Sequence, residues 1–228
     1  METVGNVRAE EILDALDNEQ RAVALASRGP VCVIAGAGTG KTRAITHRIA
    51  YAAAIGTMDP HKVLALTFTA RAAGEMRARL RSLGVPSVAA RTIHAAALKQ
   101  LTFFWPQVFG GRTPDLITTK SSFLAEAIKR AQLQGELSIA SRDLLRDIAT
   151  EIEWAKVSQI APSDYLAESV KRTVKPRINP EQLAKVYTAY ESVKHQERAI
   201  DFEDVLLLTT AMIEQEREVR ERVQDQYR

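Results

Sequence analysis

The segment Ala35–Thr42 reads AGAGTGKT, a glycine-rich turn that ends in a lysine and a threonine. Successive backbone N–H groups in such a turn converge on an anion only where bulky side chains stay clear. Gly36, Gly38 and Gly40 are expected to allow that close approach and the positive φ angles it needs. A helix predicted to open at Thr42 adds its dipole and its unpaired first-turn amides at the same spot. Lys41 would reach the β- and γ-phosphates of a nucleoside triphosphate, and the Thr42 hydroxyl would ligate Mg²⁺. The expected ligands are therefore ATP and Mg²⁺, with Lys41 and Thr42 acting at the reacting phosphates. Around them, Ala35, Gly36, Ala37, Gly38, Thr39, Gly40 and Arg43 are expected to line the triphosphate. The usual pattern opens with Gly where this chain has Ala35; the flanking elements support the assignment, because an apolar run precedes the turn and a helical pattern follows it.

Those flanking elements extend into a larger pattern. Three short β-type runs, Pro30–Ala35, Lys62–Phe68 and Ser87–Ile93, alternate with helical patterns at Thr42–Ile55 and Ala70–Leu83. Such alternation predicts βαβ units and a parallel sheet, hence an α/β core over residues 1–110. The first two runs are almost wholly apolar, as strands covered on both faces should be. FFWPQVFGGRTPD (Phe103–Asp115) has the glycines and prolines of a connection between domains. From Lys120 to Arg198 apolar positions recur at helical spacing with no strand predicted, and Pro180 sits in the first turn of a helix. HQERAI, ahead of Asp201, does not read as a buried strand. Asp201, Glu203 and Asp204 read as the start of a helix, with Asp201 as N-cap, in preference to a Mg²⁺ site.

With 228 residues, 46% hydrophobic and 26% charged, the chain is long and apolar enough for a substantial core, which excludes disordered and fibrous classes. A net charge of +3 permits nucleic-acid binding without arguing for it. The single cysteine, Cys32, rules out an internal disulfide and is expected to be a small buried hydrophobe. The N-terminal residues lack the apolar core of a signal peptide, and no apolar run approaches the ~20 residues that span a bilayer, so a cytoplasmic location with no membrane partner is expected. The histidines (His47, His61, His94, His195) show no metal-ligand spacing.

Anchored on the loop, other segments resemble the UvrD/PcrA/Rep family of superfamily 1 DNA helicases over nearly the whole chain. LDNEQRAV (Leu16–Val23) is similar to that family's glutamine motif, which implies that Gln20 reads adenine; an amide that both donates and accepts suits the task. LTFTARAAGEMRARL (Leu66–Leu80) resembles a segment that contacts single-stranded DNA. The resemblance implies that Phe68 stacks on a base and that Thr67, Thr69 and Arg71 lie beside the DNA backbone. Ala70 stands where the family has Asn. TIHAAALKQL (Thr92–Leu101) resembles the next DNA motif, with His94 matching and Ile93 and Ala95 departing from it. On the surface of the second helical pattern, Arg71, Arg77, Arg79 and Arg81 are expected to be solvated. The pair HAAALKQLTFFW and EIEWAKVS most resembles a second, shorter UvrD-type branch found in actinobacteria.

The fold implied is a P-loop NTPase (RecA-like) parallel-sheet core, incomplete, with an inserted all-helical subdomain. Residues 1–110 would form the first part of motor domain 1A, 111–198 the helical insertion 1B, and 199–228 the return to 1A. The function implied is that of the N-terminal ATP-binding part of an ATP-dependent 3′-to-5′ DNA helicase acting in repair or replication. Its partners would be single-stranded or partially duplex DNA and a second motor domain of the same full-length chain. The family's paired-carboxylate (DExxD-type) motif is not found in this sequence, so the chain by itself is expected to bind nucleotide weakly with negligible turnover. The alternatives are the motor portion of a helicase-nuclease, a P-loop transferase, and a non-catalytic DNA- or partner-binding module on a P-loop core. A sheet edge left unpaired would also allow two copies to associate.

Overall fold

The computed structural model describes residues 9–36, 38–137, 141–173 and 176–227; Ala37, one of the expected triphosphate contacts, lies outside them. Two compact units emerge. One comprises the residues through Lys99 together with those from Glu216 on, and the other is Gln100–Gln215.

In the first unit, α1 (Asn18–Leu25) and α2 (Lys41–Ala54) precede β1 (Leu64–Thr67), α3 (Ala70–Ser82), β2 (Ala89–Thr92) and the start of α4 (Ile93–Val108). β1 and β2 pair in parallel, Leu64 opposite Ala89 through Thr67 opposite Thr92, with α3 as the crossover between them. α3 forms where Ala73, Met76 and Leu80 recur at helical spacing and are buried, and the Thr69 hydroxyl caps its start by accepting the Ala72 N–H at 3.1 Å. Met76 and Leu80 join Ile49, Val63, Ala65, Val85, Val88 and Ala90 in one cluster against the sheet. α10 (Arg217–Gln226) also belongs to this unit.

Three sequence expectations change here. Pro30–Ala35 is not a strand: it runs without regular structure, with Ile34 96% exposed. An apolar run becomes a strand only when a neighbour takes up its backbone hydrogen bonds, and among the described residues the sheet here consists of β1 and β2 alone. For the same reason Cys32 is exposed, not buried. Nor are the strands covered on both faces: Ala65 and Ala90 are buried, whereas Leu66 is 46% exposed.

The second unit contains the rest of α4, β3 (Asp115–Leu116), α5 (Ser121–Arg130), α6 (Arg142–Val157), α7 (Tyr165–Ser169), α8 (Pro180–Gln196), β4 (Ala199–Ile200) and α9 (Phe202–Gln215). FFWP is not a connection but the last turns of α4. Pro106 is tolerated near the helix end, where it costs a single backbone bond, and the chain then turns at Gly110 and Gly111, φ +73° and +68°. Buried Leu124, Ile128, Ile148, Ile152, Leu183, Val186, Tyr165 and Tyr190 build the core between α5, α6, α7 and α8. Pro180 sits in the first turn of α8, as its sequence predicts, and Asn179 caps the helix ahead of it. Ala199 and Ile200, expected not to be a buried strand, are a two-residue one, hydrogen-bonded in parallel to Asp115 and Leu116. Two residues are too few to leave an alternating pattern that sequence reading can detect.

β4 delivers Asp201 to the base of α9. Its Oδ1 accepts the Asp204 N–H at 2.9 Å while Asp204 Oδ2 accepts the Asp201 N–H at 3.0 Å, so the expected N-cap is a reciprocal one. Asp201 does more than cap. It is fully buried, takes Lys156 Nζ at 2.8 Å on each oxygen, and meets Lys194 Nζ and the Tyr190 hydroxyl, both at 3.1 Å. Burial alone would push this carboxyl up; the Lys194 and Lys156 ammoniums outweigh it and hold the carboxyl well below the usual carboxylate range. Burial likewise pulls Lys156 down, but Asp201, Glu191 and Asp204 hold it above the ordinary lysine value. Among the described residues Glu191, Asp201 and Asp204 are close enough to one another to ligate a cation, yet two lysines already occupy that position, and the cluster is an ion-pair network joining α6, α8 and α9. No helix among the described residues is long and apolar enough to cross a membrane.

Candidate functional site

The glycine-rich loop of the first unit has the geometry its glycines suggest, with one change. Gly38 and Gly40 adopt φ +80° and +84°, whereas Gly36 does not lie in the left-handed region. A Cβ on Gly36 would make only an ordinary 3.6 Å contact with Thr39, so its absence serves approach, not φ. Gly40 is the cap of α2, which opens at Lys41, one residue earlier than predicted, and no side chain caps it. The first-turn amides of Lys41, Thr42 and Arg43 are therefore not taken up by a capping side chain. Lys41 Nζ donates to the Ala35 carbonyl at 2.9 Å and to the Gly36 carbonyl, which places the ammonium in the turn. The Thr39 hydroxyl donates to the Gly36 carbonyl at 2.9 Å and braces the loop from within. Thr42 is exposed beside it.

A cavity of about 530 Å³ opens over this loop, its lining including Gln20, Ala35, Gly36, Thr39, Gly40 and Lys41 as well as Asp17, Glu19 and Cys32. Gln20 reaches the loop itself: its Nε2 donates to the Thr39 carbonyl at 3.3 Å. It lies so close that a Cβ on Gly40 would meet that nitrogen at 2.5 Å. Of the sequence-predicted ligands, Gln20, Ala35, Gly36, Thr39, Gly40 and Lys41 share this cavity wall, whereas Gly38, Thr42 and Arg43 do not line it. Arg43 departs from expectation in what it touches, since its guanidinium donates to the Ala15 carbonyl, ahead of α1. Sequence reading passed over Arg48, whose Nε donates to Ala26 O at 2.8 Å and Nη2 to Gly29 O at 2.9 Å. Nothing in its local spacing separates it from an exposed helix arginine. His47 is buried on α2 with Nδ1 2.8 Å from the Arg43 carbonyl oxygen; burial, with the Arg43 and Arg79 charges, holds its pKa below the ordinary histidine value.

These residues fit a polyphosphate: the donors are one ammonium and the helix N-terminal amides, the two left-handed glycines shape the turn, and the space beside Gly38 is open. They fit Mg²⁺ only through one hydroxyl, Thr42, so the cation would have to arrive with the nucleotide.

At the C-terminal edge of the sheet, β1 and β2 end side by side at Thr67 and Thr92. Beyond Thr67 stands Phe68, 94% exposed and in no core. The Thr67 hydroxyl donates to the Thr69 carbonyl at 3.1 Å and the Thr69 hydroxyl caps α3, so both shape the backbone around Phe68. Thr92 does the same for α4, accepting the Ala95 N–H at 3.1 Å and leaving His94 exposed in the first turn. Arg71 is exposed and pairs with Glu75 at 3.0 Å. Of the arginines expected to be merely solvated, Arg77 is exposed but donates to the Ala90 carbonyl at 2.7 Å, tying α3 to β2.

A parallel βαβ unit preceded by a glycine-rich loop that opens a helix defines a P-loop type of α/β chain. The profile of the UvrD/REP helicase N-terminal domain matches residues 16–228, and the chain belongs to that family. It is 45% identical to the ATP-dependent DNA helicase UvrD2 of Mycobacterium tuberculosis over 98% of its own length, and equally to that of Mycobacterium bovis. It is 31% identical to the ATP-dependent DNA helicase PcrA of Leuconostoc citreum over 96% of its length. The chain spans about a third of the length of these relatives, 33% for UvrD2 and 28% for PcrA.

Proposed function

We propose that this chain is the ATP-binding and strand-contacting N-terminal portion of an ATP-dependent DNA helicase, its sheet and loop forming part of a RecA-like motor domain with a helical subdomain inserted. The observation that carries the reading is the pairing of two features in one unit. A glycine loop holds an ammonium where a triphosphate would sit, and an unburied phenylalanine stands at the C-terminal edge of the parallel sheet. In this reading Lys41, the α2 amides and Gly36–Gly40 hold the triphosphate, Thr42 contributes to Mg²⁺, and Gln20 takes the adenine. ATP bound with Mg²⁺ supplies the free energy for movement; the chain's own part is to grip the phosphates and the strand. Phe68 stacks on a base while Thr67, Thr69, Arg71 and His94 line the sugar–phosphate path. Translocation from 3′ to 5′ and a place in DNA repair or replication follow from the family resemblance and complete the proposal.

Among the described residues no strand beside the loop ends in a carboxylate: β1 ends at Thr67 and β2 at Thr92. The 228-residue chain alone is therefore proposed to hold nucleotide with negligible turnover. The experiment is strand binding. Phe68→Ala should weaken single-stranded DNA by about 1–3 kcal/mol, roughly fivefold to a hundredfold, read by anisotropy of a labelled oligonucleotide. The slope of affinity against salt should stay as in the wild type, because phosphate contacts remain. Equal affinity of the two proteins would remove Phe68 from the strand site.

A further inference from the structure

α1 is eight residues long, too short to persist without help from the rest of the fold, yet it carries the glutamine that touches the phosphate loop. Its first turn is held by the Asp17 carboxylate, which accepts the Gln20 N–H at 2.8 Å. Its other end has the unpaired carbonyls that every helix C-terminus leaves, and these favour a cation. Arg48 supplies one. From α2, the helix that the phosphate loop opens, its guanidinium donates to the carbonyl of Ala26, the C-cap residue of α1, and to that of Gly29, where the chain turns at φ +72°. The same arginine thus ties down the end of α1 and the turn leading to the loop. Two carbonyls three residues apart suit the fork of a guanidinium; a lysine could reach one of them. Ala24 of α1 and Ala44 of α2 are both buried.

We propose that Arg48 is a positioning residue for base selectivity: by clamping the C-terminal end of α1 to the phosphate-loop helix, it fixes Gln20 at the distance from the loop that a nucleoside triphosphate requires. The proposal rests on the reading of Gln20 as the base contact. Arg48 is bonded to the end of α1 and to the turn that follows it, so it acts through the helix that carries Gln20, while Lys41 and the loop keep the phosphate grip.

The test compares ATP with inorganic tripolyphosphate, which has the charges and no base, by calorimetry on the 228-residue chain. The wild type should prefer ATP. Arg48→Ala should lose about threefold to tenfold in ATP affinity, the loss of roughly one hydrogen bond, with tripolyphosphate affinity unchanged. Gln20→Ala should reduce the preference to the same extent, the double variant should show little further loss, and Arg48→Lys should fall between wild type and Arg48→Ala. A merely structural role would move both ligands together. An ATP preference in Arg48→Ala equal to that of the wild type, or an equal fall in both ligands, overturns the proposal. Should Arg48→Ala not fold, Arg48→Lys decides on the same criteria. If Gln20→Ala keeps the wild-type preference, it is the base-reading role of Gln20 that fails, and the proposal falls with it.

Discussion

Asp201→Asn should destabilise the helical unit by about 3–5 kcal/mol, the cost expected when one member of a buried ion-pair network is neutralised and its partners stay buried. Asp201 is fully buried and bonded to Lys156, Lys194 and Tyr190, and the two ammoniums are themselves only 3% and 2% exposed. Asparagine keeps the size and can still cap α9, so the loss measures the charge and not the packing. Both tryptophans, Trp105 and Trp154, lie in this unit, and urea unfolding followed by their fluorescence reads it directly. A loss below about 1 kcal/mol would mean that the network is as dispensable as a surface pair. The pH dependence has a defined sign. Because the folded Asp201 carboxyl is held below its ordinary value of 3.8, its contribution is complete above that pH and disappears as pH falls further. Lys156, held above 10.5, contributes fully below that value and loses its contribution as pH rises past it. The wild type should therefore show a flat stability plateau across neutral pH, and the variant a lower plateau with a shallower acid limb.

Lys41→Ala should be the most damaging change to ligand binding. Each charge-assisted bond from the ammonium to a phosphate is worth about 1.5–3 kcal/mol, so ATP affinity should fall at least tenfold and as much as a few hundredfold. The side chain is exposed and its bonds in this structure go to the carbonyls of Ala35 and Gly36, so the fold should survive its loss. Calorimetry with ATP and with tripolyphosphate should show the same proportional loss for both, in contrast to the Arg48 variants. An affinity unchanged from wild type would mean that the loop does not hold the triphosphate.

Much of the site is legible in the residues. AGAGTGKT is read from its glycines because positive φ at Gly38 and Gly40 is a local steric requirement that few other residues satisfy. Asp201 is read as a helix start because a cap needs only its own side chain and the next turn. Phe68 falls in a different category. Its place just past the end of a strand is local, but its exposure depends on which surfaces pack against that edge.

The sequence by itself therefore determined the glycine-rich turn and the helix it opens, the cap at Asp201, and the alternation of apolar runs and helices around β1 and β2, all of which leave their mark within a few residues of chain. The tertiary structure alone decided the rest. Val31–Ile34 is apolar yet unpaired, because a strand exists only with a partner for its backbone. Lys156 and Lys194, unremarkable on two separate helices, become buried because Asp201 neutralises both; Arg48 becomes a clamp because α1 ends against it. Charges and carbonyls far apart in the chain find each other only when the fold removes water from between them, and nothing in their spacing records that encounter.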